Sequence, residues 1–120
     1  MKRFLLTVAV LALSGGAALA ADPLANYYGN TLVVNGPDGA FKIWYKADKT
    51  YTGLNASGVK ISGTWAVAGD QICVTQTSPA PAAGQEKHCG GVAPDKKVGD
   101  TWQNTWNDGK TYTQSLVAGS

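Results

Sequence analysis

Apolar residues fall at every second position in a series of short runs, and no stretch sustains helical spacing for three turns. A period of two is the spacing of one face of a β-strand. The runs are Tyr27–Val34, Ala40–Lys46, Tyr51–Leu54, Val59–Ala68, Gln71–Gln76, Lys87–Ala93, Thr101–Trp106 and Lys110–Val117. Between them lie Asn35-Gly36-Pro37-Asp38-Gly39, Ala47-Asp48-Lys49, Asn55 to Gly58, Gly69-Asp70 and Asn107-Asp108-Gly109. These residue types supply the backbone angles and local hydrogen bonds that tight turns demand. The pattern predicts an all-β chain. A small antiparallel up-and-down β-barrel of about eight strands suits it, because closure removes exposed sheet edges. A β-sandwich is the alternative arrangement.

The alternation also assigns faces. In the fourth run Val59, Ile61, Gly63, Trp65 and Val67 oppose Lys60, Ser62 and Thr64. Phe41, Ile43 and Tyr45 share a face in the second run, Trp102, Asn104 and Trp106 in the seventh, and Tyr112, Gln114 and Leu116 in the eighth. These faces form the predicted interior. Trp44 is left outside between Lys42 and Lys46, where an exposed tryptophan would mark a protein-contact surface.

The N-terminus reads as a secretory signal. Lys2 and Arg3 precede the apolar run Phe4–Leu13, and Ala18-Leu19-Ala20 places small residues at −3 and −1 of a cleavage site before Ala21. The run is too short for a membrane span, which needs roughly 20 apolar residues. Residues 1–20 are therefore expected to be a signal peptide, with a single domain over 21–120 in the periplasm or outside the cell. No cysteine stands at the new N-terminus, so lipid attachment there is not expected.

Removing the signal removes the apparent basic charge. The chain holds ten Lys and Arg against eight Asp and Glu, but Lys2 and Arg3 belong to the signal, and no arginine follows. An electroneutral, arginine-free domain lacks the basic patch that nucleic acid or an anionic membrane surface requires. Cys73 and Cys89 are the only cysteines. In an oxidising compartment they are expected to form a disulfide, worth about 3 kcal/mol for a loop of about 15 residues. A metal site built from them and His88 is not expected, since structural zinc takes four ligands. The Thr77–Glu86 stretch reads as a flexible hairpin loop based on that disulfide.

Chemistry is sparse. His88 is the only histidine, and no motif groups it with Asp95, Ser78 or Ser115 as a catalytic set, so it reads as a surface residue beside a cysteine. The aspartates sit in turn contexts, where they bond the local backbone. No phosphate-binding glycine loop leads into a helix. No catalytic residue, metal or cofactor is therefore expected. The functional lead is an aromatic interior: Tyr45, Trp65, Trp102, Trp106 and Tyr112, with Asn104 and Gln114 among them, would line a pocket of the kind that takes small molecules. The simpler reading is that these rings fill the barrel, since eight strands leave an interior only just wide enough for side chains or one small ligand.

Tyr28-Gly29-Asn30-Thr31, Gly63-Thr64-Trp65, Gly69-Asp70-x-Ile72-Cys73 and Cys89 resemble the pattern of a group of small exported alphaproteobacterial proteins with two cysteines. Asp48-Lys49-Thr50 departs from it, standing where the group commonly has Asp-Gly-Thr. The resemblance implies export and a β-barrel, and it carries no catalytic residues. In architecture the chain is also similar to lipocalin- or avidin-like binders and to bacterial inhibitors of secreted metalloproteases. The function expected from the sequence is a non-enzymatic binding module for a small apolar molecule or a protein. The alternative is an inhibitor of an exported hydrolase, acting through Asp22–Asn26 or the Thr77–Glu86 loop; a hydrolase using His88 is the least favoured.

Overall fold

A computed structural model of the chain describes residues 22–120, so the expected signal peptide and its cleavage site lie outside the described residues. The chain forms β1 (Thr31–Gly36), β2 (Gly39–Tyr45), β3 (Thr50–Leu54), β4 (Lys60–Ala68), β5 (Gln71–Ser78), β6 (Lys87–Gly91), β7 (Thr101–Thr105) and β8 (Thr111–Val117). All pairings are antiparallel, and the strands make one sheet in the order β6-β5-β4-β3-β2-β1-β8-β7. The sheet curls into a nearly closed barrel. A sandwich would need two sheets, and there is one.

Every neighbouring pair carries a backbone ladder except β6 and β7 at the ends of the order. Asparagine side chains bridge that seam. Asn104 Oδ1 accepts from the Gly91 N–H at 3.1 Å while its Nδ2 donates to the Gly91 carbonyl at 2.8 Å, so the amide stands in for a strand residue. Cys89 N–H donates to Asn107 Oδ1 at 3.1 Å, and Asn107 N–H donates to the Cys89 carbonyl at 2.8 Å. Cys89 is bonded to Cys73, its direct partner across β5 and β6, on the outer wall.

The first strand starts later than its hydrophobic pattern suggests. Tyr27–Asn30 was expected as strand but lies in successive turns. Tyr27 N–H donates to Leu24 O, Asn30 N–H donates to Tyr27 O, and Gly29 takes φ +77°. Asp22 starts this winding by accepting from Leu24 N–H and the Tyr28 hydroxyl. The turns carry Leu24 and Tyr27 into one end of the barrel, where both are buried. Asp22–Asn26, read from the sequence as a contact arm, is thus built into the fold. Val59, expected on the inner face, is exposed in the turn before β4.

Inward residues otherwise follow the alternation. Leu32, Val34, Ile43, Tyr45, Tyr51, Trp65, Ile72, Val74, Trp106 and Leu116 form the buried core with the plug residues. A register shift between Ser62 and Gly63 places Thr77 as an extra residue on β5, and its hydroxyl donates to Ser62 O. Such a bulge increases local twist and helps a sheet curl.

Lys49 stands in the left-handed region at φ +73°, a conformation that a side chain rarely adopts. Its ammonium lies 4.3 Å from the Trp65 ring centroid, a contact that offsets part of the backbone cost. Lys49→Ala keeps the strained angle and loses the contact, whereas Lys49→Gly loses the contact but relieves the angle. Chemical denaturation should therefore rank the glycine variant above the alanine variant by about 1 kcal/mol. At the seam, Asn104→Ala should cost on the order of 1–3 kcal/mol and accelerate hydrogen exchange at Gly91 N–H; unchanged exchange there would mean that the seam closes without the amide.

Candidate functional site

The up-and-down order puts the β1–β2, β3–β4, β5–β6 and β7–β8 turns at one end and the N-terminal plug at the other. The two halves of the interior differ. Around the plug, Leu24, Tyr27, Leu32, Tyr45, Trp102 and Gln114 leave a void of only about 10 Å³. Tyr27 meets the rings of Tyr45 and Trp102 edge-on, and its hydroxyl donates to Ala93 O. Tyr45 also meets Trp65 edge-on. Burial, followed by the neighbouring Tyr27 and Tyr51 hydroxyls, pushes the Tyr45 pKa far up, so Tyr45 stays neutral in this packed half.

The other half holds a cavity of about 240 Å³. Its apolar wall is Phe41 and Ile43 on β2, Tyr51 on β3, Ile61 on β4 and Val74 on β5. Trp106, just past β7, lines both this cavity and the small void, and so forms the floor between the halves. Polar groups stand towards the turns: Asn55, Gln76, His88, Asp108 and Tyr112.

Glycines explain why this half is hollow. An added Cβ at Gly36 would run into the Tyr112 ring and one at Gly90 would lie 2.9 Å from Trp106, whereas one at Gly63 would collide first with the Thr75 backbone carbonyl and then with the Tyr51 ring. Each ring therefore rests against a stretch of wall that has no side chain. Tyr112 meets Phe41 and Trp106 edge-on with centroids 6.0 and 6.4 Å apart, an arrangement favoured by ring quadrupoles.

Most polar atoms here already have partners. Tyr112 donates its hydroxyl to Asp108 Oδ2 at 2.6 Å, and Lys110 N–H donates to Asp108 Oδ1. Burial works to raise the Asp108 pKa, but these two hydrogen bonds and the nearby Lys110 and His88 charges outweigh it and hold the carboxyl below its ordinary value. Burial, reinforced by the bond to Asp108, pushes Tyr112 up to about 12. His88 Nε2 lies 3.1 Å from the Gln85 carbonyl, which can only accept, so Nε2 carries the proton. The Lys110 ammonium is engaged by Asp38 in the β1–β2 turn. Gln76 Nε2 donates to Pro79 O, and Asn55 Oδ1 accepts from Ser57 and Val59.

One atom stands apart. Trp106 is 7% exposed, and its indole N–H has no hydrogen-bond partner among the described residues. Leaving such a donor dry costs about 1–3 kcal/mol. The void on its packed side is at or below the size that admits one water.

The residues expected to line a pocket thus divide. Trp106 and Tyr112 line the hollow half, whereas Tyr45, Trp102, Asn104 and Gln114 line the packed half. Trp65 is buried beneath Tyr28 and Lys49 and donates its indole N–H to Lys46 O. Trp44 lies half-buried on the outer wall and donates to the Thr31 hydroxyl at 2.7 Å. His88 was read as a plain surface residue, but it is half-buried and lines the cavity with Asp108 and Tyr112; Asp95, Ser78 and Ser115 do not line it. Its even spacing from Gly90 on β6 was the available signal. Among the described residues no Ser, Thr or Cys lines the cavity, and none form a group of three His, Cys, Asp or Glu able to hold a metal.

No family model, curated protein or solved structure matches the chain.

The depressed carboxyls set the acid limit of stability. Hydrogen bonds hold the pKa of Asp22, Asp48 and Asp108 below 3.8 in the folded state. Their contribution is therefore present above that value and is lost as pH falls through the lower folded values. Thermal midpoints measured between about pH 5 and pH 2.5 should fall on the acid side, and Asp108→Asn should flatten part of that fall. An identical profile in the variant would show that the Tyr112–Asp108 bond is energetically silent.

Proposed function

We propose that this chain is a small-molecule binding module, exported and stapled by Cys73–Cys89, which takes its ligand in the hollow end of the barrel. The cavity of about 240 Å³ walled by Phe41, Ile43, Tyr51 and Val74, with Trp106 as its floor, carries this reading. An apolar concavity with a few convergent polar groups is the usual form of a ligand site. At about 240 Å³ the space lies just below the common range of roughly 300–1,000 Å³, so the ligand is small, of one or two rings. The packed half and plug act as the rigid base that holds Trp106 in place. Binding without chemistry is favoured because, among the described residues, the cavity joins one imidazole and one carboxylate to no serine, threonine or cysteine.

Heteronuclear NMR tests this directly. Titration with a panel of small ring compounds should move the indole N–H signal of Trp106 and the amides around Tyr112, while the indole signal of Trp102 stays still. A panel that moves none of them, or moves Trp102 and Trp44 instead, would place the function elsewhere on the molecule.

A further inference from the structure

We infer that the Tyr51 hydroxyl is the specificity-determining group of the cavity, and that the ligand meets it with one uncharged oxygen function, a hydroxyl or a carbonyl. This rests on the cavity being the ligand site.

On β3, Tyr51 stands opposite Tyr45 on β2 and Gly63 on β4. Its ring crosses a stretch of wall without a side chain, beside a tyrosine that lines the packed half. Tyr51 is 3% exposed and lines the cavity but not the small void. Burial pushes its pKa up, and no hydrogen bond adds to or opposes that shift, because its hydroxyl has no partner among the described residues. Among those residues Trp106 Nε1 is the only wholly enclosed side-chain nitrogen or oxygen that lacks a partner. The unbonded Tyr51 oxygen is therefore not wholly enclosed, and the space it opens to is the cavity its side chain lines.

The other polar groups of the lining differ in two respects. Each already holds a bond: Asp108 accepts through both oxygens, Tyr112 donates to it, and His88, Gln76 and Asn55 each engage backbone groups of nearby residues. Each also keeps more contact with solvent than Tyr51 does. A hydrocarbon filling the cavity would shut water away from the Tyr51 hydroxyl and leave it dry, which is costly for a buried polar group. A ligand oxygen takes the place of that water. Because a phenolic hydroxyl both donates and accepts, it serves a carbonyl or a hydroxyl. Among the described residues no lysine or arginine lines the cavity, so an anionic oxygen would lose its hydration with no cation to replace it.

Phenol and toluene share a shape and differ in the oxygen, so together they isolate the part played by Tyr51. Their affinities are measured by calorimetry at about pH 7, where a phenol is neutral, on the intact protein and on Tyr51→Phe. The substitution keeps the ring and removes only the hydroxyl. It should weaken phenol about tenfold and leave toluene within about twofold, or tighter. Carbon NMR of the tyrosine-labelled wild type gives a second reading that stands even if the variant folds poorly. Saturating phenol should shift the Tyr51 Cζ resonance more than saturating toluene does. An unchanged phenol affinity in the variant, an equal loss of both probes, or a Tyr51 resonance that answers both alike would overturn the role of the hydroxyl and leave the ligand site standing. If neither probe binds and neither the Tyr51 nor the Trp106 signal moves, the ligand site itself falls, and the specificity with it.

Discussion

The sheet of this protein becomes a barrel because asparagine side chains substitute for a missing backbone ladder. β6 and β7 are the two ends of the strand order, and an unpaired edge on each would leave the interior open along its whole length. Asn104 meets Gly91 through both its oxygen and its nitrogen, and Asn107 meets Cys89 through its side chain and its backbone. A side-chain amide has the same donor and acceptor groups as a peptide unit, so the seam is satisfied without strand-on-strand approach. The disulfide ties Cys89, one member of that seam, to β5. A lumen with a floor and a wall exists only because this line is closed.

Closure alone would give a filled barrel, as the simple size rule suggests. Two further features divide the interior. The N-terminal turns drive Leu24 and Tyr27 into one end and pack it to the point where scarcely a water fits. At the other end Gly36 and Gly90 leave stretches of wall without side chains, and the rings of Tyr112 and Trp106 settle against them. Aromatic area is thereby spent on the wall rather than across the middle. The result is a packed half and a hollow half, with Trp106 as the floor between them. Polar residues around the turns are otherwise hydrogen-bonded, which concentrates the unmet bonding capacity at the floor.

Much of the architecture was legible because strand alternation is a local property. Phe41, Ile43 and Tyr45 on β2, Gly63 and Trp65 on β4, and Gln114 and Leu116 on β8 point inward as their spacing indicates. The start of β1 was misread because Tyr27 and Tyr28 continue the apolar pattern, while the turn bonds of Asp22, Leu24 and Asn30 that override it involve partners the pattern does not weigh. The site was less legible for a related reason. Alternation says that Tyr45, Trp65, Trp102, Trp106 and Tyr112 face inward, but not at what height along the barrel each one sits. His88 was read as a surface residue because it is a single histidine beside a cysteine. Its place in the cavity follows from pairing with Val74 on β5, which puts its side chain on the inner face.

By itself, the sequence determined an all-β chain, its turn positions, the inward face of most strands, and a cysteine pair placed for one disulfide. These depend on residues within a few positions of one another, or on the count of a single residue type. Only the tertiary structure decided that the interior is half packed and half hollow, that Asn104 closes the seam beside the packed half, and that the Trp106 N–H has no partner among the described residues. Each of those depends on which residue of a distant strand stands opposite. Gly90 lies beneath Trp106, and Gly91 meets Asn104, across a gap that no spacing within either strand encodes.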